Sequence, residues 1–198
     1  GFYWPHRVFA IPVDTARIAQ GGKTPTHLQL YAAHAGGGWQ PAVKKDFTQL
    51  DDLKDTGGKK GFNFVADRDG VYEFSVQYHY KGGEAEPQRT DELTPLLKVT
   101  IDTTLPVVRL VAAGNGVEWS ATDENLDPDG VRLQAKFPHW SEWKTITDRP
   151  ILPTGRYSWS LQQGQTLDVR VVARDRAGNE NSSAPVQVPG TGAFSTGL

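Results

Sequence analysis

Ile101-Asp102-Thr103-Thr104-Leu105-Pro106 ends one series of predicted β-strands and begins another. We interpret this segment as the joint between two similar halves, because a chain of 198 residues favours two domains of roughly 100 residues each. The predicted boundaries are residues 1–102 for the first domain, 103–188 for the second and 189–198 for a flexible tail or linker. Both domains are predicted to be all-β sandwiches of antiparallel strands.

The composition excludes several classes of function. Aromatic residues make up 10% of the chain, charged residues 22%, and the net charge is -2, so the basic surface typical of nucleic-acid binding is missing. The chain has no cysteine, which excludes disulfides, thiolate metal sites and a cysteine nucleophile. The lack of cysteine and methionine favours an exported, processed protein or a piece of a longer one. No apolar run approaches the ~20 residues that a membrane span needs.

The second half contains short apolar segments separated by turn residues. We predict seven strands, at Val107–Ala112, Val117–Thr122, Val131–Phe137, Trp143–Thr147, Arg156–Leu161, Leu167–Asp175 and Pro185–Val188. Seven short strands in roughly 85 residues are typical of an immunoglobulin-like or fibronectin-like sandwich.

The first half also alternates strands and turns. Pro12 within Arg7–Val13 predicts an edge strand, and residues 46–60 are predicted to be a loop with a short helical turn around Leu50–Leu53. The clearest alternation follows Gly70 and predicts one buried and one solvent-facing side. The buried side comprises Tyr72, Phe74, Val76 and Tyr78, and the solvent side comprises Glu73, Ser75, Gln77 and His79.

The two halves share an internal repeat. Gly70–Val76 and Gln165–Val171 align with an apolar residue at every inward position, and Gly83 then falls on Gly178. Divergent copies of one module explain this similarity most simply.

Several motifs resemble those of tandem bacterial immunoglobulin-like repeats. Asp102–Pro106 resembles the linker of such repeats, Val171–Glu180 resembles the end of their sixth strand, and Trp119–Asp129 resembles the strand and acidic turn before their third. Asp69–Val76 is similar to another of their strands and makes Tyr72 a candidate tyrosine corner. The resemblance implies tandem immunoglobulin-like or fibronectin III-like domains of a secreted or cell-surface protein, which serve as spacers, adhesive segments or accessory modules.

A crowded acidic turn is a candidate Ca²⁺ site, because hard carboxylate oxygens suit this ion. Its residues are Asp123, Glu124, Asp127 and Asp129. The resemblance implies that calcium binds near the domain joint, which adds Asp102, Asp175 and Asn179. The alternative is that these Asp and Asn side chains only stabilise turns through local hydrogen bonds, and that no cofactor is bound.

Trp140 and Trp143 cannot both face one side of a flat strand, so one is predicted to be core and the other partly exposed. An exposed tryptophan beside His139 is a candidate glycan-binding surface. The alternative is an ordinary exposed aromatic residue.

No residue pattern predicts catalysis. The five histidines are scattered, and the chain has no Gly-x-Ser-x-Gly motif, so we expect a protein that is not an enzyme. The favoured function is a spacer or interaction segment of a bacterial secreted or cell-surface protein, whose partners are other domains of a longer chain or other surface proteins. The alternatives are a carbohydrate- or protein-binding accessory module and a self-assembling filament or surface-layer subunit, which would pair through edge strands.

Overall fold

A computed structural model describes residues 1–15 and 22–190 of the protein. The chain divides into two compact units, Gly1–Thr103 and Thr104–Leu198. Strands dominate the described residues, so the predicted all-β sandwich class is confirmed. None of the described helices is long and apolar enough to cross a membrane.

Two residues of the predicted tail, Pro189 and Gly190, are part of the folded second unit. Pro189 is the last residue of a strand, and the backbone N–H of Gly190 donates to the carbonyl oxygen of Gln165 at 2.7 Å. The rest of the predicted tail, from residue 191 on, lies outside the described residues.

The first unit is built from strands and short 3-10 helices. Its strands are β1 (Phe2–Trp4), β2 (Val8–Pro12), β3 (Pro25–His34), β4 (Gln40–Asp46), β5 (Asp51–Leu53), β6 (Lys59–Val65), β7 (Gly70–Tyr80), β8 (Ala85–Glu86) and β9 (Leu97–Ile101). The 3-10 helices are Phe47–Gln49, Lys54–Thr56 and Thr90–Glu92.

These strands form two sheets. The larger sheet has the order β1-β9-β7-β3-β4, with β8 also paired to β7, and the smaller has the order β2-β6-β5. β1 pairs with β9 in parallel, whereas the other described pairings in this unit are antiparallel. β2 lies at the edge of the smaller sheet, as Pro12 predicts, because proline cannot donate a ladder hydrogen bond.

The inward faces of the two sheets share one core. Leu28 and Leu30 of β3 are fully buried, and so is Phe62 of β6. Phe74 of β7 is 1% exposed, and its ring centroid lies 4.9 Å from that of Phe64 in an edge-to-face contact. Burying such a side chain contributes about 1.5–3 kcal/mol to folding, so these alternating positions account for the sandwich.

Tyr72 forms the corner that the sequence predicts. Its hydroxyl oxygen lies 2.6 Å from a carboxylate oxygen of Asp67 and 3.0 Å from the carbonyl oxygen of Arg68, four residues upstream. Burial, followed by the hydrogen bond to Asp67, raises the pKa of Tyr72. The tyrosine therefore joins the core to the turn that precedes β7.

The predicted solvent face of β7 is wrong at Ser75 and Gln77, which are 3% and 5% exposed. The side-chain amide of Gln77 donates to the carbonyl oxygen of Pro87 at 2.9 Å and accepts from the hydroxyl of Tyr31 at 3.2 Å. The alternation of residues predicts which side chains share a face of β7. It does not predict that the chain segment after β8 covers the face with Ser75 and Gln77.

The helical turn predicted around Leu50–Leu53 is wrong in its position. Asp51–Leu53 forms strand β5, and 3-10 helices lie on either side of it, at Phe47–Gln49 and Lys54–Thr56. The carboxylate of Asp51 pairs with Lys45 and accepts the backbone N–H of Asn63 in β6 at 3.0 Å. Together, these contacts stabilise β5 beside β6.

The second unit contains the strands β10 (Val107–Ala113), β11 (Gly116–Thr122), β12 (Arg132–Lys136), β13 (Lys144–Thr145), β14 (Thr154–Ser158), β15 (Thr166–Arg174), β16 (Glu180–Ser182) and β17 (Val186–Pro189). One sheet has the order β10-β11-β14, and the other has the order β13-β12-β15-β16, with β17 also paired to β15. Each of the predicted strands of this half is present, and the polar strand β16 is additional. The core includes Val117, Leu133 and Val169, all fully buried.

Candidate functional site

The acidic turn follows β11. Asp123 is half-buried and accepts the backbone N–H of Asn125 at 2.7 Å, whereas Glu124 and Asp129 are exposed. Asp127 accepts the backbone N–H of Asp129 at 3.0 Å and pairs with Arg174 at 3.0 Å. The hydrogen bond from Asp129, together with Arg174, lowers the pKa of Asp127. The Asp127 carboxylate therefore forms an ion pair with Arg174 at the end of β15.

Asp175 organises the turn after β15. It is 1% exposed, and one of its carboxylate oxygens accepts the backbone N–H groups of Gly178 at 2.7 Å and Asn179 at 2.8 Å. Its other carboxylate oxygen accepts the side-chain amide of Asn179 at 2.6 Å. Gly178 has a φ of 97°, which favours glycine. These contacts are local hydrogen bonds that stabilise a turn, which is the alternative to calcium binding that the sequence predicts.

The two acidic turns of the second unit meet. An isolated bridge pairs Leu126 with Asp175, and the backbone N–H of Arg176 donates to the carbonyl oxygen of Asn125 at 2.9 Å. As a result, carboxylate oxygens of Asp123 and Asp175 lie within 4.8 Å of each other. The structure therefore brings these two predicted acidic ligands of the second unit close together.

Asp102 belongs to the first unit. It is 5% exposed, and its backbone N–H donates to the carbonyl oxygen of Trp4 at 3.0 Å. This residue therefore continues the edge where β1 and β9 pair.

The candidate glycan-binding residues lie around β13. His139 is exposed, while Trp140 and Trp143 are both half-buried, so the prediction that one of them lies in the core is wrong. The Lys144 ammonium lies 4.3 Å from the ring centroid of Trp140, and the Arg170 guanidinium carbon lies 4.5 Å from that of Trp143. A cation therefore covers one face of each ring, which leaves only the opposite face for stacking on a sugar.

A cavity in the first unit was not predicted from the sequence. It has a volume of about 820 Å³, and its walls include Ile11, Val13, Phe74 and Val76 of the core together with the carboxylates of Glu86 and Glu92. Its size is within the range of small-ligand sites. The alternation of residues gives no signal for it, because the cavity depends on the path of the chain between β8 and β9.

The connection between the units is anchored at both ends. In the first unit, the backbone N–H of Thr103 donates to Asp69 at 2.8 Å, and the hydroxyl of Thr103 donates to the same carboxylate. In the second unit, the side-chain amide of Asn181 donates to the carbonyl oxygen of Pro106 at 2.9 Å. Only Thr104 and Leu105 lie between the two anchored residues.

Comparisons with known proteins give only distant structural similarities. No protein-family model and no curated protein sequence matches this chain. A chain of a cytokine receptor complex is 16% identical, with a TM-score of 0.39, over 98% of this chain and 97% of that one. The FN1–FN3 domains of chicken CNTN1 are 12% identical, with a TM-score of 0.40, over 96% of this chain and 65% of that one.

A segment of two fibronectin type III domains from chicken tenascin is 11% identical, with a TM-score of 0.33, over 90% of this chain and 95% of that one. At these identities and TM-scores the similarities contribute nothing to an argument about function. The paired sheets and their cores establish the fold class by themselves: this chain is an all-β protein made of two β-sandwich units.

Proposed function

We propose that this protein is a non-catalytic spacer or interaction segment of a bacterial secreted or cell-surface protein. The observation that carries the proposal is the anchored connection, in which Thr103 is bound to Asp69 and Pro106 to Asn181. A spacer transmits position or force only if its units do not move independently. We expect the short connection, with two residues between its anchored ends, to restrict this motion.

The experiment inserts six Gly/Ser residues between Thr104 and Leu105. Such an insertion adds a flexible chain with an end-to-end distance of about 13 Å, so we expect the units to tumble independently only in this variant. ¹⁵N relaxation gives a rotational correlation time for each unit. The proposal predicts equal, long values for the wild type and shorter, unequal values for the insertion.

Asp69→Ala is a finer version of the same test, because it removes the anchor of Thr103 without lengthening the chain. We expect increased backbone motion at residues 103–105 and unchanged order elsewhere in the second unit. Equal correlation times for the wild type and both variants would show that the connection does not restrict motion, and the spacer proposal would fail. Labelling intact cells of the source with an antibody to the protein tests the proposed location.

Calcium binding is a second proposed property, which the proximity of Asp123 to Asp175 favours. Two carboxylates within 4.8 Å of each other repel, and Asp175 is only 1% exposed, so a divalent cation bound to both would offset that repulsion. The proposal concerns oxygen ligands within the second unit, with the side chain of Asn179 beside Asp175.

Thermal unfolding in excess Ca²⁺ and in excess chelator tests calcium binding. An ion present at about 100 times its dissociation constant stabilises the folded state by roughly 2.7 kcal/mol, which raises the Tm of the unit by several degrees. We expect this shift in the wild type and in the control Asp129→Asn, and its loss in Asp123→Asn. A Tm that does not respond to calcium in the wild type leaves turn stabilisation as the role of these carboxylates.

A further inference from the structure

Two histidines face each other on the outer side of the larger sheet of the first unit. His27 of β3 and His79 of β7 are directly opposite in the antiparallel register. Their ring centroids lie 4.2 Å apart and the planes are inclined by 12°. Leu28 on the same strand is fully buried, so the alternation of side chains places the two rings on the face away from the core.

The hydrogen bonds of Thr26 determine which nitrogen of His27 carries its proton. The Thr26 hydroxyl has one proton, which it donates to the carbonyl oxygen of His79 at 3.1 Å. The hydroxyl oxygen of Thr26 also lies 3.3 Å from Nδ1 of His27. Because the hydroxyl proton is already used, this second contact requires the ring to donate from Nδ1. In the neutral ring, Nε2 then keeps its lone pair and is available as a ligand atom.

The surroundings of the pair favour neutral rings. Burial is the largest cause that lowers the pKa of both histidines, and the positive charge of Lys44 on β4 adds to it. Asp46, directly opposite His27 on β4, acts in the other direction on the pKa of His27. Neutral imidazoles bind metals, whereas protonated ones do not.

We propose that His27 and His79 bind a divalent transition-metal ion, of which Zn²⁺ is the representative. Zinc–nitrogen bonds of about 2.0–2.1 Å in tetrahedral geometry place two ligand nitrogens about 3.3 Å apart. The ring centroids lie 4.2 Å apart, so the rings must turn before both nitrogens reach one ion. A rotation of the rings about their Cβ–Cγ bonds brings the nitrogens to one ion, and this torsion is soft. Water completes the coordination.

The ligand set selects this class of metal. Imidazole nitrogen suits Zn²⁺, Ni²⁺ and Cu²⁺, while Ca²⁺ requires oxygen ligands. The site is separate from the acidic turns of the second unit, so it is independent of the calcium proposal.

Isothermal titration of the whole chain with ZnCl₂ at pH 7.5 tests the proposal. We expect one zinc ion per chain for the wild type and for the control His139→Ala, which removes an exposed histidine of the second unit. His27→Ala and His79→Ala each remove one of two ligands, so we expect at least a tenfold weaker affinity in both. Protons compete with the metal for the same imidazole nitrogens, so we expect the zinc affinity of the wild type to fall as the pH is lowered.

A measurement on the wild type alone does not depend on the folding of any variant. In ¹H–¹⁵N spectra of the imidazole nitrogens, zinc is expected to shift or broaden the signals of His27 and His79 and to leave those of His139 unchanged. Calcium at the same concentration is expected to leave all of them unchanged. Absence of zinc binding to the wild type, or wild-type affinity in both His27→Ala and His79→Ala, overturns the proposal.

Discussion

Phe74→Ala is expected to lower the free energy of unfolding of the first unit by about 3–5 kcal/mol. Phe74 is 1% exposed, and its ring contacts Phe9, Phe64 and Tyr72 at centroid distances of 5.2, 4.9 and 6.1 Å. Truncation removes its transfer free energy and leaves a void among aromatic rings that cannot collapse fully. Because a domain has a stability of about 5–15 kcal/mol, the loss is a large fraction of the total.

Urea unfolding followed residue by residue with ¹H–¹⁵N spectra measures this effect, because it separates the signals of the two units. We expect the midpoint of the first unit to fall sharply while that of the second unit changes little. Val65→Ala is the matched control, since Val65 is an apolar residue of the same unit that is 66% exposed. Equal midpoints for Phe74→Ala and Val65→Ala would contradict the assignment of Phe74 to the core.

Asp175→Ala is expected to destabilise the second unit by about 3 kcal/mol. The carboxylate accepts the backbone N–H groups of Gly178 and Asn179 and the side-chain amide of Asn179, and the residue is 1% exposed. A hydrogen bond to a charged group contributes about 1.5–3 kcal/mol, and the contributions of three bonds that share one carboxylate are not additive. Alanine leaves all of these donors without the carboxylate.

The same urea experiment measures this loss, and hydrogen exchange of the Gly178 and Asn179 amides shows whether the turn opens. Asp129→Ala is the control, because Asp129 is exposed and contributes its backbone N–H rather than its side chain to Asp127. We expect a change within about 0.5 kcal/mol for this control. A similarly small change in Asp175→Ala would mean that the turn does not depend on the carboxylate.

The sequence predicts those parts of the fold that depend on neighbouring residues. The alternation around Tyr72 identifies β7 and its buried side, Pro12 identifies an edge strand, and Asp175 lies in a recognisable turn motif. β1 was not predicted as a strand because it has three residues and pairs with β9, which is distant in the sequence. Gln77 is buried by a later segment of the chain, and the alternation of residues within β7 does not predict this burial.

The candidate sites depend on register, which the sequence does not give. Asp123 and Asp175 come together through the bridge between Leu126 and Asp175, and only a family resemblance suggested their proximity. His27 and His79 face each other because β3 and β7 pair in one particular register. A shift of one residue would move one of the rings to the opposite face, so composition and spacing alone could not pair them.

The parallel pairing of β1 with β9 has a mechanical consequence. Phe2 is opposite Val99 and Trp4 is opposite Ile101, so the two strands run in the same direction at the edge of their sheet. A pulling force that enters at the start of β1 and leaves at the end of β9 therefore acts along both strands and shears their hydrogen bonds simultaneously. Strands pulled apart from one end break their hydrogen bonds one after another, at lower force, so this edge gives the first unit resistance to tension.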